Sequence, residues 1–115
     1  MTKRVFVCSP LSGDIVRNKK KAALYCRWVA QQGFFPYAPH VFCTQFLDDT
    51  RTQDRVAGIN IGLSFLEACD EIWVFGSTLS MGMQQEVDLA KRKGLSIRTF
   101  EDHVVQELFL SGGRE

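Results

Sequence analysis

Short apolar segments alternate with helical patterns along this chain, and that alternation restricts its fold more than any other feature. Four segments are predicted to be strands: residues 5–8, 34–38, 71–75 and 95–99. Apolar residues recur at helical spacing in each interval between them. Strands that alternate with helices imply right-handed βαβ crossovers. The sequence therefore predicts one α/β domain over residues 1–115, with a flavodoxin-like or Rossmann-like parallel sheet, its first strand inside and helices on both faces.

The predicted helices cover residues 15–32, a segment marked by Ile59, Leu63 and Leu66, and residues 83–93. Glycine follows the first and the third helix, as is typical of a left-handed helix terminus. Prolines at positions 36 and 39 place the second strand at the sheet edge, because proline cannot donate a hydrogen bond to a neighbouring strand. Residues 40–53 are predicted to form a long loop.

The charge of the chain argues against a nucleic-acid partner. The formal net charge is +1, whereas binding to a phosphate backbone usually requires an excess of Lys and Arg. Arg17 and the lysines at 19–21 form the one basic cluster, and we interpret it as the solvated face of the first helix. The alternative is that Arg17, near the helix start, faces an anionic ligand.

The cysteines predict buried, reduced thiols rather than a metal site. Cys8, Cys26, Cys43 and Cys69 are far apart in sequence and have no histidine at zinc-ligand spacing. The first apolar run stops at residues 9–10, which is too short for a signal peptide or a membrane helix. We therefore expect a cytoplasmic protein with no membrane partner.

Two loops are expected to meet where ligands bind in such sheets, beyond the carboxyl ends of the strands. The first, residues 9–14, carries the hydroxyls of Ser9 and Ser12, a glycine at Gly13 that permits close backbone approach, and free N–H groups at a helix start. This combination suits an oxyanion. Ser12 and Asp14 fit equally well as simple helix caps.

The second loop, residues 76–82, leads into a helix that carries an acid. Ser80 and Gly82 lie at the helix start, and Glu86 lies about one turn inside it. The positive end of the helix dipole favours an ionised carboxylate, the form needed for a nucleophile or for binding a developing cation. Alternatively, Ser80 only caps the helix and Glu86 faces solvent. His40, which follows the second strand, would hydrogen-bond a base or make only local contacts.

These segments together resemble the nucleoside 2-deoxyribosyltransferase-like family over roughly residues 4–99. The resemblance rests on the apolar strand leading into Ser-Pro-Leu-Ser-Gly at 9–13, on Cys-Asp-Glu-Ile-Trp-Val-Phe at 69–75, and on Gly82-x-x-x-Glu86-x-x-x-Ala90 before Lys-Gly at 93–94. It implies that Glu86 attacks C1′ of a sugar and forms a glycosyl ester, which water or a second base resolves. It implies no metal and no redox cofactor.

Position 80 points to one branch of that family. The transferases usually carry an aspartate there, whereas the nucleoside 5′-monophosphate N-glycosidases carry a serine that contacts the phosphate. Ser80 therefore resembles the second branch. The resemblance implies a small-molecule nucleotide as partner and hydrolysis, or transfer, of its N-glycosidic bond, with Ser12, Gly13 and Ser80 around the phosphate and Glu86 as nucleophile.

One position departs from the family. Counted back without gaps from Asp70, the catalytic aspartate of the family falls at Gly62. Asn60 is the nearest polar substitute, and Asp54 lies further upstream. A non-catalytic nucleotide-binding or sensing module is therefore the alternative function. An interaction protein with an empty crevice is a third hypothesis, because a fold alone does not define an activity.

The aromatic residues lead to an expectation about assembly. Phe42 and Phe46 lie in the predicted long loop, where they would stack on a base, cover the core or form a subunit contact. Together with the resemblance, they predict a homodimer or a higher homo-oligomer, with residues after 100, including Ser111, crossing to the neighbouring subunit. Trp28 and Trp73 are predicted to lie in the core or at an interface.

Overall fold

Four strands and four helices alternate in the computed structural model, which describes residues 2–101, 104 and 107. The strands are β1 (Arg4–Cys8), β2 (Phe35–Tyr37), β3 (Glu71–Phe75) and β4 (Ser96–Phe100). The helices are α1 (Ile15–Gln31), α2 (Pro39–Phe42), α3 (Thr52–Glu67) and α4 (Met81–Lys93), with a 3-10 turn at Cys43–Gln45. All neighbouring strands are parallel, in the order β2-β1-β3-β4. The predicted α/β fold with its first strand inside is confirmed.

The apolar runs are continuous because both faces of the sheet are covered. Side chains alternate between the faces along each strand. Phe6 and Ile72 lie on the face that α3 and α4 cover, and both pack in a cluster with Leu66. Val5 and Trp73 lie on the opposite face, in a second cluster that includes residues of α1. Every residue of β3 is buried, which explains why the polar-apolar alternation of a half-exposed sheet is absent.

Trp73 lies in the core, one of the two locations predicted for the tryptophans, and the partly buried Trp28 packs against it. Trp73 is 1% exposed. The ring of Trp28 packs against Trp73, with centroids 5.6 Å apart, and edge-on against Phe100 at 5.3 Å. These tilted and edge-to-face contacts are the arrangements that aromatic quadrupoles favour. The α1 face of the sheet is therefore a packed aromatic layer.

The segment between β2 and α3 differs from the prediction. The long loop expected over residues 40–53 is wrong, because this stretch contains most of α2, the 3-10 turn and the first residues of α3. Pro39 begins α2, where its missing N–H costs no hydrogen bond. The edge position predicted for β2 is confirmed. The other predicted boundaries agree with the structure to within two residues.

The thiols predicted to be buried lie largely inside the molecule. Cys8, Cys43 and Cys69 are buried, Cys26 is partly buried, and all four are free thiols. Within the described part of the chain, no helix is long and apolar enough to cross a membrane.

Candidate functional site

A cavity of about 540 Å³ lies at the carboxyl end of the sheet, within the size range of small-molecule sites. The loop after β1, the start of α2, the first half of α3 and the start of α4 all contribute to its wall. The predicted meeting of the two loops is therefore confirmed, since Ser12 and Ser80 both line this cavity. The apolar part of the wall comprises Leu11, Pro39, Leu47, Val56, Ile59, Leu63, Met81 and Met83.

The carboxyl group of Glu86 lies at the buried side of this cavity. Its Oε1 atom is buried and has no hydrogen-bond partner among the described residues. The Cys8 thiol, which donates to the Met83 carbonyl at 3.9 Å, lies beside the carboxyl group. Burial raises the pKa of Glu86 to about 7, against the smaller opposing effect of this thiol. The burial of Oε1 contradicts the solvent-facing alternative, and desolvation opposes the ionised form that the helix dipole was expected to favour.

Two neighbouring groups stay neutral near physiological pH. Burial raises the pKa of the Cys8 thiol far above its ordinary value, and the adjacent Glu86 carboxyl adds to the effect. Burial also raises the pKa of Tyr37, whose buried hydroxyl has no hydrogen-bond partner among the described residues. Glu86 is therefore the group of these three that changes charge near pH 7. Unsatisfied buried polar atoms are rare in native proteins, and each calls for an explanation such as a catalytic role, strain or a bound water.

The start of α4 presents polar groups to the cavity. The Ser80 hydroxyl oxygen accepts a hydrogen bond from the Met83 backbone N–H at 3.3 Å, so the capping interpretation is confirmed. Its hydroxyl hydrogen can still be donated to a ligand. A Cβ atom added at Gly82 would meet no atom within 4 Å. The backbone there is open to close approach by a ligand.

The loop after β1 reaches the cavity through Leu11 and Ser12. The Asn18 side chain holds this loop, since its Nδ2 atom donates to the carbonyls of Leu11 at 3.0 Å and Ser12 at 3.2 Å. The Ser12 hydroxyl accepts a hydrogen bond from Nη2 of Arg55 at 3.3 Å.

The other predicted residues of this loop lie outside the cavity wall. Ser9 is 1% exposed, and its hydroxyl has no hydrogen-bond partner among the described residues. Gly13 adopts a φ of 98°, a conformation that favours glycine. The Asp14 carboxylate caps α1 through the Arg17 backbone N–H at 3.1 Å, while the Arg17 side chain is exposed. The capping interpretation of Asp14 is therefore confirmed, as is the solvated location of Arg17.

His40 lines the cavity as a neutral imidazole. Burial lowers the pKa of His40, although its hydrogen bond to the backbone of Ser9 acts in the opposite direction. His40 therefore offers an uncharged hydrogen-bonding group, which suits contact with a base.

Gly62 faces Glu86 across the space between α3 and α4. A Cβ atom at Gly62 would lie 4.0 Å from Glu86 Oε2 and 3.5 Å from the Pro39 Cβ. The position is therefore beside the predicted nucleophile, but it carries no acid. Asn60 is exposed and does not line the cavity, whereas Asp54 does. One oxygen of the Asp54 carboxylate accepts a hydrogen bond from the Asp48 backbone N–H at 2.9 Å.

Arg55 is a cavity residue that the sequence analysis missed. It precedes Ile59 by four residues and Gly62 by seven, so helical spacing places it on the same face of α3. That spacing is the signal that could have identified it. Phe42 and Phe46, by contrast, do not line the cavity, and their rings pack against each other with centroids 5.3 Å apart. No group of acidic, histidine or cysteine residues in the described segments is arranged to hold a metal ion.

Known proteins resemble this chain in sequence or in fold. The sequence profile of the family DUF7768, a domain of unknown function, matches residues 3–100. No curated protein sequence matches the chain significantly. The structure is similar to the 2-deoxyribosyltransferase of Bacillus psychrosaccharolyticus, with a TM-score of 0.65 and 14% identity over 85% of this chain and 72% of that one. It is also similar to the 2-desoxiribosyltransferase of Leishmania mexicana, with a TM-score of 0.64 and 17% identity over 86% of this chain and 64% of that one.

At these identities the similarity concerns the fold. The chain has the fold of 2-deoxyribosyltransferases, as its sequence motifs predicted. It spans less than two thirds of the length of the Leishmania protein.

Proposed function

The chain belongs to the family DUF7768, a domain of unknown function, and from that premise we propose that it cleaves the N-glycosidic bond of a nucleoside 5′-monophosphate. The observation that carries this proposal is the Glu86 carboxyl, which is buried at the wall of a 540 Å³ cavity with one oxygen unpartnered. A carboxyl with a strongly shifted pKa in a cleft is characteristic of an active site. The fold shared with 2-deoxyribosyltransferases supports glycosyl chemistry.

The proposed reaction has two displacements at C1′ of the sugar. An oxygen of the ionised Glu86 carboxylate attacks C1′, the C1′–N bond breaks, and the base leaves with the electron pair and takes a proton from solvent. Water then attacks C1′, the ester C–O bond breaks, its electron pair returns to Glu86, and the extra proton of the water is released. The products are free base and sugar 5-phosphate, with retained configuration. If a second base attacks C1′ in place of water, the sugar phosphate is transferred to that base.

The environment of Glu86 suits both steps. With a pKa of about 7, a substantial fraction of the carboxyl is ionised at neutral pH. The ionised group has few hydrogen bonds to lose before it attacks, since Oε1 has no partner. A negative charge at this buried oxygen stabilises the oxocarbenium-like transition state more than it would in water.

The polar groups at the cavity opening suit a phosphate. Ser80 and Gly82 lie at the start of α4, a 13-residue helix whose first N–H groups point out of the helix. Ser12 lines the same cavity. Hydroxyl and backbone N–H donors at a helix start favour an anion. We therefore place the 5′-phosphate between the start of α4 and the loop after β1.

Replacement of Ser80 by aspartate is expected to weaken nucleotide binding selectively. Asp is a good helix cap, so α4 will form. A second negative charge close to the phosphate costs roughly 1 to 4 kcal/mol in a partly wet site. Calorimetry at fixed salt should therefore show affinity for the monophosphate weakened by roughly five-fold or more, since about 1.4 kcal/mol corresponds to a ten-fold change in affinity. Nucleoside affinity should change little.

Ser80→Asn is the matched control, because asparagine caps helices as well as aspartate but is neutral. It should retain most of the nucleotide affinity. If the parent protein bound a nucleoside and its monophosphate equally well, the phosphate assignment would be wrong and the transferase-like alternative would gain support.

Base release tests the activity itself. The four common ribonucleoside and deoxyribonucleoside 5′-monophosphates are screened by thermal shift, and those that bind are incubated with protein and separated by chromatography. Free base is the expected product. The absence of an acid at Gly62 favours a second candidate, a nucleotide-sensing module. Tight binding with no free base after prolonged incubation would favour that module over the enzyme.

A homodimer or a larger assembly is the proposed state in solution. Met81 is 81% exposed, and the exposed side chains of Val56 and Ile59 also lie at the cavity wall. An apolar rim of this kind is typical of a surface that a partner covers. Sedimentation should show an assembly of at least two chains at micromolar concentration, and a monomer would contradict the proposal. Ser111, in the predicted crossing segment, lies outside the described residues.

A further inference from the structure

We propose that Arg55 binds the 5′-phosphate of the substrate and sets the preference for monophosphates over nucleosides. The inference rests on the proposed function, which places a phosphate in this cavity. It adds a residue of α3 to a phosphate site that otherwise consists of neutral groups.

The geometry places Arg55 at the polar end of the cavity. Its side chain lines the cavity together with Ser12, Ser80 and Gly82. Its Nη2 atom donates to the Ser12 hydroxyl at 3.3 Å, which brings α3 to the loop after β1. The two residues are 43 positions apart in sequence, so this contact depends on the tertiary fold.

The guanidinium group of Arg55 has N–H donors that its contact with Ser12 does not use. An arginine side chain carries five N–H donors in a planar fork, and the Ser12 hydroxyl accepts from one nitrogen. In the part of the chain that the structure describes, no carboxylate pairs with Arg55. The neighbouring Asp54 carboxylate instead accepts from the Asp48 backbone. A planar fork with free donors matches the oxygens of a phosphate.

The charges on the cavity wall make Arg55 the residue on which attraction of a phosphate depends. Three acids line the cavity, Asp49, Asp54 and Glu86, and they would repel a phosphate dianion. Arg55 is the one arginine or lysine among the described lining residues. Arg17, the anion ligand considered from the sequence, is exposed and lies outside the wall. Selectivity for a phosphate therefore depends on Arg55.

Removal of this side chain should spare the fold. Arg55 is exposed, and its contact with Ser12 joins two exposed side chains. Such contacts contribute little to stability. A loss of affinity in Arg55→Ala will therefore report on the ligand.

The test is calorimetry in the Glu86→Gln background, where turnover does not disturb the measurement. Arg55→Ala should weaken binding of the nucleoside 5′-monophosphate about 10- to 100-fold, the effect of a hydrogen bond to a charged group. Affinity for the matching nucleoside should change less than about two-fold. Arg55→Lys should recover part of the loss, because it restores the charge without the fork.

Arg51→Ala is the matched control. It removes the same charge one turn earlier, from an exposed arginine that does not line the cavity. The inference is overturned if Arg51→Ala and Arg55→Ala have equal effects, if Arg55→Ala weakens nucleoside and nucleotide equally, or if no monophosphate binds the parent. An Arg55-dependent affinity with no base release by the parent would support this inference and contradict the proposed enzyme.

Discussion

Glu86→Gln is expected to lower base release by about 1,000-fold or more, the scale seen when a nucleophile is removed from an enzyme. The amide has nearly the volume of the carboxyl, so the cavity keeps its shape. It cannot form the glycosyl ester, because it lacks the negative charge that attacks C1′. Nucleotide affinity should largely survive, since the proposed phosphate contacts come from Ser12, Ser80 and Arg55. Turnover is measured by chromatography of the released base.

Asp88→Asn provides the control on the same helix. Asp88 is exposed on α4, and its carboxylate accepts a hydrogen bond from the Gln84 side chain at 2.8 Å. Asparagine keeps an oxygen for that bond, so this variant makes the same chemical change away from the cavity. It should release base at the rate of the parent. Equal activity of Glu86→Gln and the parent would exclude Glu86 as the nucleophile.

The same substitution is expected to stabilise the protein in alkaline solution. The pKa of Glu86 is about 7 in the folded chain, and the ordinary value is 4.5. Below pH 4.5 the group is protonated in both states and has no net effect. Between pH 4.5 and 7 the unfolded chain releases this proton while the folded chain keeps it, so the folded state loses stability as the pH rises. The loss levels off above pH 7, where the buried carboxyl ionises as well. Above pH 8 the loss is about 3 kcal/mol, at 1.36 kcal/mol for each pKa unit.

Glu86→Gln removes that loss because glutamine is neutral at every pH. Chemical denaturation should therefore show the variant to be more stable than the parent by about 3 kcal/mol above pH 8 and close to it near pH 4.5. Asp88→Asn should show no such difference. If the variant were no more stable than the parent at high pH, the carboxyl would not be desolvated, and the proposed environment of the nucleophile would be wrong.

The sequence predicted the fold because the relevant signals are local. The buried strands β1 and β3 are apolar runs, and the ends of α1 and α4 follow from Asp14, Ser80 and Gly94. These patterns act over a few residues. The stretch 40–53 has no clear period, so its short helical pieces depend on packing against α1 and α3, which no local pattern encodes.

The candidate site was predictable in part. Ser12, His40, Ser80, Gly82 and Glu86 follow strands or begin helices, and the topology brings them to one cavity. Their roles stay predictions. The pKa of Glu86 was not predictable, because its burial comes from separate segments of the chain. The local sequence around Glu86 indicates the dipole of α4 but not that burial.

Arg55 was missed for a related reason. Its partner Ser12 is distant in sequence, and an arginine near a helix start is ordinarily a solvated residue. The chemistry becomes visible only when α3 and the loop after β1 are placed together. The sequence patterns therefore did not predict contacts between distant segments.

The absence of a side chain at Gly62 has a consequence for how the candidate site can change by substitution. A Cβ there would make only ordinary contacts, with Pro39 at 3.5 Å and Glu86 Oε2 at 4.0 Å, so an acid at this position would place its carboxyl beside that of Glu86. The carboxyl of an aspartate at position 62 would lie beside that of Glu86, whose pKa is already raised. The two carboxyl groups would then share one proton instead of carrying two charges. A single substitution at position 62 therefore separates the one-carboxylate form of this site from a two-carboxylate form.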